Sequence, residues 1–479
     1  MKQIEYEGDK AKVYFDAGTG EKMAAIMARR FSRRGALGVA AGTAAVVLGI
    51  PSVAVQSTPT ASPAASPVSQ ASPAASPVAT TDSLSFAGLG LGSGEVPAVP
   101  AGYTVVPFLR WGDPLFSNSP AFDPLAQSAS AQALQIGYNC HYIGFIPLPI
   151  GSSSVDHGLL LVNHEYTNPE LMFPAYLKSN PEYDATDEES AEFLANPTKD
   201  IVDTELEAHG MSFVEVQRDG SGAWTVVIDG EYNRRITATT PMALTGPAAG
   251  ADQLKTSVDP TGLAVVGTLN NCAGGLTPWG TVIIGEENFN QYFANLADLK
   301  ADDPLVAIHE RYGLTDGPTE RLWETFYDRF DLTKEPNEPL RFGWGVEIDP
   351  FDPASTPKKR TALGRNKHEG HTSAVAKSGQ VVIYGGDDER FEYAYKFITS
   401  GSYNADDRAA KMDLLEDGTL YVARFDDDGS GEWLPLIHGE NGLDKTNGFQ
   451  SQADILIFTR AVAIVRRLSE VIERACDDM

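Results

Sequence analysis

Val216-Gln-Arg-Asp-Gly-Ser-Gly-Ala-Trp224 returns in form as Phe425-Asp-Asp-Asp-Gly-Ser-Gly-Glu-Trp433. In each copy a strand-like run enters Asp-Gly-Ser-Gly and leaves at a tryptophan that opens the next run. Glycine supplies the φ > 0 positions that tight hairpins demand, and periodic Gly/aromatic hairpins are the sequence mark of propeller blades. The acidic run 426–428 looks superficially like the opening of an EF-hand loop. The closing bidentate glutamate is missing and strands flank it, so it reads as a turn.

Working outward, strands are expected at 159–162, 212–216, 224–227, 263–266, 281–284, 343–348, 380–384, 393–399 and 419–424, and helices at 188–195, 291–300, 320–327 and 451–467. Strands spread over the whole chain fit a mainly β propeller or sandwich better than alternating βα units. Two Ala-Ser-Pro-Ala-Ala-Ser-Pro-Val repeats, at 61–68 and 71–78, bury nothing and read as an extended spacer over 55–82.

Ahead of the spacer stands Ser32-Arg33-Arg34-Gly35-Ala36-Leu37, followed by an uncharged small-residue run to Val55. That is a twin-arginine signal over 23–54, an address for cargo exported already folded by the twin-arginine translocase. Residues 1–22 are acidic, foreign to such a signal, and are expected to be an extension ahead of a start at Met23 or Met27. The destination is the periplasm, the cell surface or the medium.

Acidic residues outnumber basic ones 65 to 37, for a net charge of −28. Nucleic acid is therefore excluded as a partner, and the charge favours solubility and divalent cations. The three cysteines, Cys140, Cys272 and Cys476, make no disulfide framework. Each is a buried small hydrophobe or a soft metal ligand.

Five segments set acid, imidazole or thiol beside glycine at strand ends. They are Gly137-Tyr-Asn-Cys-His-Tyr142, Val162-Asn-His-Glu-Tyr-Thr-Asn168, Thr277–Thr281 with Gly285-Glu-Glu-Asn288, Gly364-Arg-Asn-Lys-His-Glu-Gly370 and Gly385-Gly-Asp-Asp-Glu-Arg390. Singly each is an ordinary polar turn; together they supply ligands for hard cations and an oxyanion. No Gly-x-Ser-x-Gly elbow and no phosphate-binding P-loop motif is present.

These segments, with Asn271-Cys-Ala-Gly-Gly-Leu-Thr-Pro-Trp-Gly280 and Gly343-Trp-Gly-Val-Glu-Ile-Asp-Pro350, closely resemble the PhoX family of twin-arginine-exported alkaline phosphatases, from about Phe108 to about Arg460. The resemblance implies a β-propeller, six-bladed in full-length members, with helical insertions over 83–463. It implies a monomer cleaving phosphate monoesters of small molecules with two irons and several calcium ions. Carried over by residue, it implies Glu286 and Glu369 as iron or bridging carboxylates, and Cys140 as the iron thiolate with Cys272 the competitor. Glu165, Asp387, Asp388 and Glu389 are implied as calcium ligands, and Arg365 or Lys367 as the phosphate contact, fork geometry favouring the arginine.

Beyond Arg460 the resemblance stops, and 464–479 reads as an out-of-frame or prematurely stopped tail, leaving an incomplete propeller with an exposed edge. Two other readings stand beside a phosphomonoesterase. One is a non-enzymatic surface propeller on its spacer; the other is a calcium propeller hydrolysing lactones or phosphotriesters.

Overall fold

The computed structural model describes residues 2–6, 9–15, 89, 98–173, 195–405, 407–426 and 428–477. The twin-arginine signal, the spacer and most of the helix expected at 188–195 lie outside them. Strands β1 (Lys2–Tyr6) and β2 (Asp9–Phe15) pair antiparallel in a small sheet of their own. The body, Pro107–Arg424 with Gly431–Met479, forms a second unit.

The body opens with a short helix, α1 (Ala129–Gln132), and continues as three sheets. The first holds β3 (Cys140–Pro147), β4 (His157–His164), β5 (Gly210–Arg218) and β6 (Trp224–Val226), with β7 (Arg234–Ile236) also on β5; α2 (Pro169–Met172) and α3 (Lys199–Ala208) lie in the β4–β5 connection. The second contains β8 (Pro241–Thr245), β9 (Ala264–Val266), β10 (Asn271–Leu276), β11 (Val282–Glu286), β12 (Gly345–Ile348) and β13 (Lys358–Arg360), ordered β10-β11-β12-β13-β8-β9, and α4 (Pro304–Arg311) lies between β11 and β12. The third is the meander β14 (His368–Val375), β15 (Gln380–Asp387), β16 (Ala394–Ser402), β17 (Gly418–Phe425) and β18 (Gly431–Pro435), followed by α5 (Gln452–Ile457) and α6 (Thr459–Asp477). The fold is mainly β and propeller-like. Among the described residues no helix is long and apolar enough to cross a membrane.

Every strand expected from alternation has a counterpart, from β4 to β17. The two Asp-Gly-Ser-Gly runs are indeed turns. Asp219 Oδ1 accepts from the Ser221 and Ala223 amides at 2.8 and 3.0 Å, and Asp428 Oδ1 accepts from the Ser430 amide at 2.9 Å. The helical expectations fare less well. Segment 291–300 forms only 3-10 turns at Phe289–Tyr292 and Leu296–Asp298, and 320–327 only one at Trp323–Thr325. Their apolar residues instead build an aromatic core, in which Phe289, Tyr292, Phe293, Trp323, Phe330, Phe342 and Trp344 are all 0–1% exposed. Packing, rather than helical period, holds this insertion.

The second and third sheets meet where β10 and β11 pack against β14. A Cβ on Gly275 of β10 would lie 1.9 Å from the His371 carbonyl oxygen of β14, and one on Gly285 would lie 2.3 Å from that of His368. Only glycine permits such close approach. Side-chain amides stitch the first and second sheets: Asn163 Nδ2 donates to the Cys272 carbonyl at 2.8 Å, and Asn271 Nδ2 to that of Gly210 at 2.5 Å.

Candidate metal centre

The leading strand of each sheet begins the same way. β3 sets Cys140 opposite His164, the last residue of β4; β10 sets Asn271 opposite Glu286, the last of β11; β14 sets His368 opposite Asp387, the last of β15. In all three hairpins the register then slips, between Cys140 and Ile143, Asn271 and Gly274, and His368 and His371. A bulge frees its residue from the ladder and re-aims its side chain. The residues so released are His141, Cys272 and Glu369.

The second strand of each hairpin is followed by an acid: Glu165, Glu287 and Asp388. Each acid is pinned by its own amide. Glu165 donates to Asn139 O at 3.2 Å, Glu287 to Asn270 O at 2.9 Å, and Asp388 to Lys367 O at 3.0 Å, in each case the carbonyl just before the leading strand. Asn139 and Asn270 stand at φ +54° and +49°, a left-handed conformation that asparagine tolerates better than most residues.

Three of these side chains, His141, Glu165 and Cys272, meet directly, and Glu287, Asp388 and Glu369 act on them. Cys272 Sγ lies 3.0 Å from His141 Nδ1, and Glu165 Oε2 lies 3.7 Å from the same nitrogen. All three present ligand atoms within 4.8 Å of one another. Glu287 hydrogen-bonds Asp388, Cys272 and Glu165, and the Glu369 charge is felt by both Glu165 and Cys272.

The electrostatics are those of a cluster built for cations. Burial, the Asp388 hydrogen bond and the neighbouring carboxylates push Glu287 up to about 8. Burial likewise raises Glu165, with His141 opposing and Glu369 and Asp388 adding to the rise. The Cys272 thiol is pushed far above its usual range by burial and then by Glu287, Glu165 and Glu369. Acids packed this closely share protons unless positive charge arrives. A thiol and an imidazole among four acids, groups that would give up their protons to arriving cations, fit a borderline transition metal together with hard cations.

Of the residues singled out from sequence, Glu165, Glu369 and Asp388 are brought together here, and Cys272 rather than Cys140 supplies the thiol. Cys140 is solvent-exposed, its sulfur 3.9 Å from His164 Nδ1. Glu286 and Asp387, one residue before the acids of the cluster, turn to the opposite side. Glu286 is fully buried, paired with Lys359 at 2.7 Å and accepting from the Gly343 and Trp344 amides at 3.0 and 3.2 Å. Asp387 accepts from Arg460 Nε at 2.6 Å. Arg365 is wholly enclosed, donating to Phe342 O and Pro339 O and stacked 4.0 Å over the Tyr312 ring, so it is not placed to touch phosphate. Lys367 pairs with Glu389 at 2.7 Å beside the cluster.

His141 and Glu287 were missed by sequence reading. Both sat inside the quoted segments, next to the residues chosen.

A sequence model of the family described as alkaline phosphatase PhoX matches residues 84–468. The chain belongs to the PhoX family. The matched span is wider than 108–460 and ends within the segment 464–479. Among solved structures, Pseudomonas fluorescens PhoX in complex with vanadate, a transition state analogue, is similar at TM-score 0.69 and 41% identity, over 77% of this chain. The chain spans 61% of that PhoX chain. No curated protein matches.

Proposed function

We propose that the protein hydrolyses phosphate monoesters at the six-residue cluster, releasing inorganic phosphate outside the cytoplasm after export through the twin-arginine translocase. The observation that carries this is the meeting of His141, Glu165 and Cys272, whose ligand atoms lie within 4.8 Å of one another, with Glu287, Asp388 and Glu369 from the equivalent hairpin positions acting on them. Family membership and the likeness to a relative solved with a transition-state analogue support it.

Iron and calcium are the proposed metals. Cys272 and His141 would hold iron and the carboxylates would share iron and calcium, following donor softness. Bound there, the ions would neutralise the phosphoryl charge and activate an oxygen nucleophile. The chain's own residues supply the rest. The six donors sit at strand ends whose backbones are tied into sheets, so little reorganisation accompanies binding. Lys367, held by Glu389 at 2.7 Å, is the cation offered to an incoming dianionic ester, which would compete with Glu389 for the ammonium. Asn163 and Asn271 brace the hairpins against one another.

The test is turnover of a chromogenic phosphate monoester by the iron- and calcium-loaded chain, with and without chelator. Chelator-sensitive hydrolysis is expected. A metal-loaded chain with no turnover, or turnover indifferent to chelator, would overturn the reading.

A further inference from the structure

Between β15 and β16 the chain turns through Asp388–Tyr393, and one residue there is both fully offered to solvent and held in an unusual backbone conformation. Phe391 is 95% exposed. It also stands at φ +69°, in the left-handed region, where a bulky non-glycine residue is an outlier. The Glu392 amide closes the turn onto Glu389 O at 3.1 Å, which puts Phe391 at the third position, where glycine or asparagine is favoured.

The turn is held on three sides. Asp387 is locked to Arg460, with Nε at 2.6 Å, Glu389 to Lys367 at 2.7 Å, and Glu392 to Arg311. The Asp387 amide closes its base onto Tyr393 O at 3.1 Å. A segment clamped this firmly does not shed the strain at Phe391 by relaxing, nor does it fold the ring away. Phe391 is also only three residues from Asp388 of the cluster, a span of at most about 10 Å. Strained residues that their surroundings over-determine concentrate at ligand clamps.

We infer that Phe391 is a specificity-determining residue at the rim of the metal cluster, a preset aromatic platform for the leaving group of an aryl or otherwise apolar phosphate monoester. The inference rests on the phosphomonoesterase reading above. An exposed ring offers its face to an apolar group at little conformational cost, while the phosphoryl group engages the cluster whatever it is esterified to.

The experiment compares phenyl phosphate with glycerol phosphate on the metal-loaded full chain and on Phe391→Asn and Phe391→Trp. Asparagine accepts the left-handed backbone, so the melting temperature of Phe391→Asn is expected to hold or rise. Its KM for phenyl phosphate rises about three- to tenfold with kcat unchanged; KM for glycerol phosphate stays put, and Phe391→Trp keeps the aryl preference. Equal changes for both esters, no change for either, or a drop in melting temperature with parallel losses would each overturn the inference. If the unaltered protein turned over neither ester, the phosphatase reading itself would fall and take this inference with it, a result visible before any variant is made.

Discussion

Cys272 Sγ lies 3.0 Å from His141 Nδ1, a contact between the leading strands of two different sheets, across 131 positions of sequence. Both side chains are released from their ladders by equivalent bulges. Cys272→Ser is therefore expected to lower iron content and turnover together, by about a hundredfold or more, since even residues that only orient ligands cost 10- to 100-fold. Cys140→Ser is expected to leave both unchanged. Elemental analysis beside steady-state kinetics decides between the two thiols.

The adjacent acids Glu286 and Glu287 are expected to part company on mutation. Glu286→Gln strands a fully buried Lys359 and should cost about 3–5 kcal/mol of stability, read from urea denaturation. Glu287→Gln should spare the fold and weaken metal binding.

Glu287 also gives the metal-free protein a pH signature. Its folded pKa, about 8, lies above the ordinary 4.5. The folded state therefore binds the extra proton between those values, and stability falls as pH rises from about 4.5 to 8. Glu287→Gln should shrink that slope, with Glu165, also raised by burial, keeping part of it. A metal-free Glu287→Gln protein whose slope matched the unaltered one would count against the assignment.

His309 works in the opposite direction and away from the cluster. Burial pushes it down to about 4, although its Nε2 donates to Pro336 O at 2.8 Å. A lowered histidine contributes fully above 6.5, and that contribution is lost as pH falls toward 4, here by roughly 3 kcal/mol. His309→Gln should flatten the unfolding midpoint across this window relative to the unaltered chain.

Gly275→Ala places a methyl against the His371 carbonyl. The two leading strands must then separate, with an expected loss of about 1–3 kcal/mol. Because Cys272 and Glu369 ride on those strands, weakened metal retention should accompany the lower melting temperature. Full retention would mean that the spacing between sheets does not set the site.

The strands that follow each leading one were legible in the sequence because they bury one face and alternate, or bury both and run apolar, as in Val282–Glu286. The leading strands were not. Asn271–Leu276 is Asn-Cys-Ala-Gly-Gly-Leu, and His368–Val375 mixes imidazole, acid and glycine, so neither carries a period. The site was half visible for the same reason. Acid pairs such as Glu286-Glu287 and Asp387-Asp388 announce a site, but which member faces it depends on register, and a slip of one residue exchanges the faces. Arg365 misled because its segment is rich in ligands, while its own side chain anchors aromatic packing.

The threefold bulge separates where a ligand stands from what that ligand is. One backbone device delivers an imidazole in the first hairpin, a sulfur in the second and a carboxylate in the third. Exchanging one of these for another would alter the hardness of a single coordination position and leave the scaffold as it was. Were the proposed metals bound there, single-residue steps would retune which metal the centre prefers, because no strand has to be rebuilt.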